Sequence, residues 1–427
     1  MVCPPRHMVL PLLILVAAFV TAKGEEAPDI AFEAFIVEHR RPYRRGATDY
    51  EQRRALFQLR KAAVEDQNSR PDRLWTAGLN TFSDRTEEER AAVLGWRGKG
   101  HRHQAREAEA ALIAVSEGRG SSSIQTVDWR NLTSAGHVPD QGECGSCWAF
   151  ATEAVMSSHH EIYRGGTPRY FSVQELLSCA PNPHHCGGKG GCDGATVEIG
   201  LDWATKHGLS DQHAVPYLAK TTACPQSDLQ VQSEGDGGVD VAHTGAVFGL
   251  VGFQTLPMNK EQPFVQALVE KGPVAVAIMA EGLYNYDQGI YNACARNGVV
   301  NHAVTAFGFG QEGKHKYWLI RNSWGHKWGE RGFFRMQRLD HEEQHCGIDD
   351  KPQEGVGCDG GPSQVTICGS CGIFYDTTVP NFVRATAAEL TRSTREGHRR
   401  GRKTSGAMQA AISSDATPSL MRRDEGH

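Results

Sequence analysis

At 427 residues, with a formal net charge of −5, 39% hydrophobic and 22% charged residues, the chain has an ordinary globular composition, which excludes the disordered and collagen-like classes. Its 45 basic and 50 acidic residues show no domain-wide basic bias, so nothing points to a nucleic-acid partner. The length suggests about three units, large enough not to need covalent staples, yet there are 12 cysteines. That number implies an oxidising compartment or thiol and metal chemistry.

The N-terminus answers the compartment question. Arg6 and His7 precede an apolar run from Val9 to Val20, and Val20-Thr21-Ala22 offers small residues for cleavage before Lys23. This reads as a secretory signal peptide over residues 1–22. The run is too short for a membrane anchor, which needs roughly 20 residues. Cys3 would leave with it, so 11 cysteines remain in an oxidising lumen.

Residues 25–97 are charged and helical in period, with Phe32, Phe35, Ile36, Leu56, Phe57, Leu59 and Val64 at helix-compatible spacings. Residues 98–123, rich in Gly, Ser, Arg, His and Glu, read as a linker, where processing proteases cut. From 124 to 351 follows a Gly-rich, aromatic-bearing domain; residues 127–351 hold 17 basic and 25 acidic side chains, so the negative charge resides there. An amphipathic stretch after Cys147 and β-like runs at Val274–Ile278, Ala303–Phe307, Tyr317–Ile320 and Gly332–Met336 predict an α+β arrangement. Residues 352–427 read as a tail with Cys358, Cys368 and Cys371, its distal part disordered in composition.

The densest motif is Gln141-Gly-Glu-Cys144-Gly-Ser-Cys147-Trp-Ala-Phe150. A cysteine is a useful nucleophile only as thiolate, and a helix N-terminus with a nearby imidazolium favours that form. Cys147 stands where a Gly-rich turn gives way to a helix-compatible run. Downstream, His302 opens one β-like run and Asn322, in Arg321-Asn-Ser-Trp324-Gly, closes another. At this point the sequence resembles the papain-like cysteine proteases over roughly residues 29–351; the cysteine motif with a distant His and Asn is itself the signature cited for that family.

The resemblance implies a two-lobed fold, a helical lobe and a β-barrel-like lobe with the active site between, behind a mostly helical inhibitory pro-domain. It implies Cys147 as nucleophile paired with His302 as thiolate and imidazolium, Asn322 orienting the imidazole, Trp324 shielding that bond, and Gln141 with the Cys147 N–H as oxyanion hole. The 155-residue step from Cys147 to His302 exceeds the usual ~130–150. An acidic, Gly-rich surface insertion at residues 227–238 accounts for the excess.

A second match lies upstream. Asp49, Arg53, Phe57, Arg60, Val64 and Asn68 line one helical face with the spacing of the family's interspersed ERFNIN motif, and Gly78-Leu-Asn80-Thr-Phe82-Ser-Asp84 looks like its second pro-motif. Both are of the cathepsin L type, whose pro-segment runs backwards through the cleft. A zymogen activated by cutting in the linker at acid pH is implied.

By family position Cys144 pairs with Cys192, Cys179 with Cys224 and Cys294 with Cys346, leaving Cys186, Cys358, Cys368 and Cys371 for two more bridges. A redox or metal role for Cys368-Gly-Ser-Cys371 is the alternative. Cys144-x-x-Cys147 lacks the βαβ context of a thioredoxin motif, and Gly308-Phe-Gly-Gln-Glu-Gly313 reads as a hairpin turn rather than a dinucleotide loop.

Gly145, Gly194, Ala195, Ala277, Val300, Asn301, Ala303 and Trp324 would surround the subsites, with Ala277, Val300 and Ala303 in an apolar P2 pocket. Counting from Cys346 puts Lys351 near its floor, where an inward-pointing lysine would admit acidic P2 residues; a solvated lysine is the alternative. His184 and His185 read as loop surface, so the cleft is open at both ends. Asn131-Leu-Thr133 is a glycosylation sequon. The implied protein is a cysteine endopeptidase of the secretory route, endolysosomal or extracellular, acting through a Cys147 acyl-enzyme without metal or organic cofactor. Its partners are protein or peptide substrates, its own pro-segment and cystatin-like inhibitors. A transpeptidase using the same acyl-enzyme and a catalytically silent binding homologue are the alternatives.

Overall fold

The computed structural model describes residues 29–95, 125–165, 168–225 and 245–386. The expected signal peptide and linker, the 227–238 insertion and the distal tail fall outside them. Two compact units are present, with the break between Arg54 and Ala55.

The first unit centres on α1 (Ile30–Glu38), capped by Asp29, whose carboxylate accepts from the Phe32 N–H at 3.1 Å. Phe32 meets Tyr50 edge-on with ring centroids 5.2 Å apart, and the Tyr50 hydroxyl donates to Glu33 at 2.7 Å.

The break falls within α2 (Thr48–Ser69), whose second-unit part buries Phe57 and Val64. Arg60 pairs with Glu87 at the start of α3 (Glu87–Ala92). Asn68 bonds both main-chain groups of Ala77, Nδ2 donating to its carbonyl at 2.8 Å and Oδ1 accepting from its N–H at 2.9 Å. The predicted helical face therefore fixes a strand, β1 (Trp75–Ala77), beside the helix.

Strand β1 pairs antiparallel with β5 (Tyr286–Tyr291) at one end of a nine-stranded sheet. The sheet continues through β8 (Phe333–Arg338), β7 (His315–Arg321), β6 (His302–Glu312), β4 (Val274–Ile278), β11 (Thr377–Phe382) and β3 (Leu250–Thr255), with β2 (Val127–Asp128) on β6. Strand β4 and the first nine residues of β6 are buried throughout, as expected of strands covered on both faces. One core lies between the sheet and α7 (Glu261–Glu270), built on Phe264, Trp318, Phe334 and Phe374.

A second core belongs to α4 (Cys147–Arg164), α5 (Val173–Cys179) and α6 (Val197–His207). Helix α4 is buried from Cys147 to His159, which suits its small and apolar first turns. Glu153 within it faces Arg321 of β7 at 3.5 Å, both buried, and Arg321 also donates to the Ser134 carbonyl at 3.0 Å. The β6–β7 hairpin turns only at Gly313-Lys314, because Gly308 and Gly310 lie within the strand. A Cβ on Gly308 would overlap the Val127 carbonyl of β2, so glycine lets the two strands approach.

Two expectations are corrected here. Cys294 pairs with Cys371, not with Cys346. The hairpin of β9 (Cys346–Asp349) and β10 (Val365–Cys368) sets Cys346 directly opposite Cys368, and those two are bonded instead. The bridges Cys144–Cys192 and Cys179–Cys224 are present, and Cys186 joins Cys358. The second correction concerns the tail, because the folded chain does not stop at Lys351. Strand β11 inserts between β4 and β3, with Thr377 opposite Val276 and Val379 opposite Gln254, and three bridges tie residues 352–371 to what precedes them.

Candidate active site

Cys147 is the first residue of α4, is 4% exposed, and is the one free cysteine among the described residues. Burial pushes the thiol up to about 11, outweighing the opposing effect of the nearby backbone N–H groups of Ala303, Trp148 and Cys147. His302 directly precedes Ala303 on β6. Its Nε2–H donates to Asn322 Oδ1 at 2.8 Å, while Nδ1 has no hydrogen-bond partner. Burial pulls the imidazole down to about 4, against the opposing bond to Asn322. Asn322 Oδ1 also accepts from the Ser323 N–H at 2.8 Å, so the acceptor is held by its own turn. Trp324 stacks on His302 with ring centroids 4.8 Å apart and covers that bond.

Gln141 is fully buried. Its Oε1 accepts from the Ser323 hydroxyl at 2.6 Å, and its Nε2 donates to the carbonyls of Cys144 at 2.8 Å and Val93 at 2.7 Å. The second of these belongs to the pro-region. Leu94 presents its carbonyl to Cys147 Sγ at 3.9 Å. Gly95 passes so close that a Cβ on Gly145 would stand 2.7 Å from its Cα, and one on Gly194 would overlap its carbonyl oxygen. The backbone of residues 93–95 thus lies directly on Cys147 and Gln141, with glycines making room on both sides. Upstream, Asn80 donates to the Tyr284 carbonyl at 2.8 Å, Phe82 packs edge-on to Trp324 at 4.9 Å, and Arg90 lies over the Tyr284 ring at 3.9 Å. The thiolate–imidazolium pair expected from sequence is disfavoured in this covered state, because burial drives both groups towards neutrality.

Of the expected subsite residues, Ala195, Ala277, Asn301 and Ala303 line one cavity with Cys147 and Leu94, whereas Val300 lies behind it against Ala277 and Ile367. Lys351 is corrected. It is exposed, 3.8 Å from Glu354, and takes no part in the cavity, because the chain turns at Pro352–Glu354 and offers Gly355 and Val356 instead. Glu198, Asp376 and Thr378 also line the cavity and were missed. The available signal was the same five-residue count that reached Lys351; begun at Cys371, the true partner of Cys294, it reaches Asp376. His184 and His185 are exposed, the latter 2.8 Å from Asp359. Asn131 is exposed. Among the described residues no cluster of three or more His, Cys, Asp or Glu could hold a metal ion, and no helix is long and apolar enough to cross a membrane.

Comparison with known proteins agrees with this geometry. Residues 124–356 match the papain family cysteine protease model and residues 32–89 the cathepsin propeptide inhibitor domain. Procathepsin L of Mus musculus is 28% identical over 355 residues, covering 80% of this chain and 96% of the relative. Cysteine endopeptidase RepA of Oryza sativa subsp. japonica is 31% identical over 316 residues, 71% of this chain and 77% of the relative. Among solved structures, the recombinant stem bromelain precursor superposes with a TM-score of 0.60 at 27% identity, covering 82% of this chain and 98% of that one. A buried cysteine heading a helix, a histidine held by an asparagine and a pro-segment laid over both therefore agree with the sequence matches: the chain belongs to the papain family of cysteine proteases and carries a cathepsin-type inhibitory propeptide.

Proposed function

We propose that this protein is a zymogen of a cysteine endopeptidase in which Cys147 is the nucleophile, His302 the general base and acid, Asn322 the orienting group and Gln141 an oxyanion donor. The observation that carries the reading is the seat of Val93, Leu94 and Gly95 on Cys147 and Gln141. A segment that takes the hydrogen bond of the oxyanion donor and excludes water from the thiol is an inhibitor of those groups.

Once residues 93–95 leave, water reaches the pair. The helix N-terminus and the nearby backbone N–H groups then favour thiolate, and His302 becomes the matching cation. The thiolate attacks the substrate carbonyl. Its oxygen takes the place of the Val93 carbonyl at Gln141 Nε2, beside the Cys147 N–H, a contribution of about 3 kcal/mol or more per donor. His302 gives its proton to the leaving amine, then takes one from the water that releases the acyl group. Asn322 holds Nε2 throughout, which keeps Nδ1 for the reacting atoms.

We assign the protein to the secretory pathway, endolysosomal or extracellular. The reading from residues 1–22, five disulfides and an exposed Asn131 sequon support this, and cystatin-like inhibitors are the expected protein partners of the opened cleft. The test is acid incubation of the purified precursor, with terminal sequencing and a peptide digest. A new N-terminus in the 98–123 linker, with peptidase activity and labelling by a thiol-directed peptide epoxide, is expected. Cys147→Ala should lose both, and full turnover by that variant refutes the assignment. Added amine nucleophile, with products read by mass, separates hydrolysis from transpeptidation.

A further inference from the structure

Beside Cys147 lies a cavity open to solvent at its mouth. Ala195, Ala277, Ala303 and Val356 give it small apolar walls. Against them stand two carboxylates from distant parts of the chain, Glu198 in the first turn of α6 and Asp376 immediately before β11. Both are anchored. The Thr378 hydroxyl donates to Glu198, and the Asp376 main-chain carbonyl accepts from the Ala277 N–H at 3.0 Å, with Thr377 and Thr378 in register against Val276 and Ala275. Glu198 stands close enough to act on the Asp376 carboxyl.

Two carboxylates this close do not both ionise readily. Burial, with Glu198 beside it, holds the Asp376 carboxyl well above the carboxylate range. Among the described residues no lysine or arginine pairs with either group, and the pro-segment contributes only the apolar Leu94 to the rim. A charge enclosed by apolar walls without a counter-ion is costly unless something brings one. A neutral apolar occupant would strip water from the pair and leave it unmatched, whereas a cation entering through the mouth would neutralise it.

We propose that this cavity receives a basic side chain of the substrate, arginine ahead of lysine, at the P2 position to which the family resemblance assigns Ala277 and Ala303. The inference rests on the peptidase reading above and names its substrate class. Arginine is favoured because its planar fork can bond both carboxyls at once, whereas an ammonium offers a point charge. The expectation attached to Lys351 is thereby reversed in sign, from acidic to basic substrates.

The test uses the acid-processed enzyme and fluorogenic peptides identical except for arginine or leucine at P2. For the wild type, kcat/KM is expected to favour arginine by about tenfold or more. In Asp376→Asn and Glu198→Gln the arginine-to-leucine ratio should fall by about tenfold. The ratio is internal to each variant, so the amount of folded enzyme cancels, and either variant suffices if the other fails to fold. Leucine preferred by the wild type, or an unchanged ratio in the variants, overturns the proposal while leaving the peptidase reading intact. A processed protein that cleaves neither peptide and takes no epoxide label overturns both.

Discussion

The pairing of a thiol held up at about 11 with an imidazole held down at about 4 gives the closed precursor a chemical signature. At neutral pH both groups are uncharged, so alkylation of Cys147 by iodoacetamide should be slow in the intact precursor and should rise with pH. After processing, the same reagent should react at least tenfold faster near pH 6, because the re-exposed pair favours thiolate. Equal rates before and after processing would contradict the assigned effect of burial. Cys147, His302, Asn322 and Gln141 were legible because each sits in a local motif whose chemistry demands that residue type. Asp376 was not, since nothing local distinguishes it from any exposed aspartate. Its place depends on which of three cysteines closes on Cys294, a matter of how β9 and β10 pair.

At the level of elements, the pro-region attaches by adding strand β1 to the edge of the protease sheet, and Asn68 is its clasp. Because that side chain satisfies both the N–H and the carbonyl of Ala77, Asn68→Ala should weaken the attachment by about 1–2 kcal/mol. The measurable result is conversion of the precursor at a higher pH than the wild type requires. Conversion with an unshifted pH profile would show that β1 contributes nothing to inhibition. The helical face of α2 was legible from spacing alone. The strand it fixes was not, because three residues are too few to show alternation and β1 becomes a strand only against β5. The β-like runs fared better. Val274–Ile278 matches β4 residue for residue, whereas β6 runs beyond its predicted end because Gly308 and Gly310, read as a turn, are packed strand positions.

For the whole molecule, pH acts through buried histidines. His159 and His160 on α4, like His302, are pulled down to about 4, chiefly by burial. The unfolded chain binds protons at these sites before the folded one does. Their contribution is therefore fully present above about pH 6.5 and is lost as pH falls towards 4. Glu342, raised by burial to about 7 while accepting from Trp318 Nε1 and the Ser370 N–H, works the other way: its contribution is lost as pH rises towards 7. The precursor should melt several degrees lower at pH 4.5 than at pH 7. His159→Gln, whose amide can still donate to the Pro273 carbonyl that His159 Nε2 bonds at 2.8 Å, should melt with a smaller drop across that range. An undiminished drop would remove His159 from the account. The position of β11 bears on synthesis as well as stability. It is the last strand among the described residues but interior in the sheet, so the chain must be made through Phe382 before β3 has a partner. The same segment carries Asp376 and Thr378 of the cavity wall, so a chain stalled short of it has Cys147 but an unfinished cavity beside it.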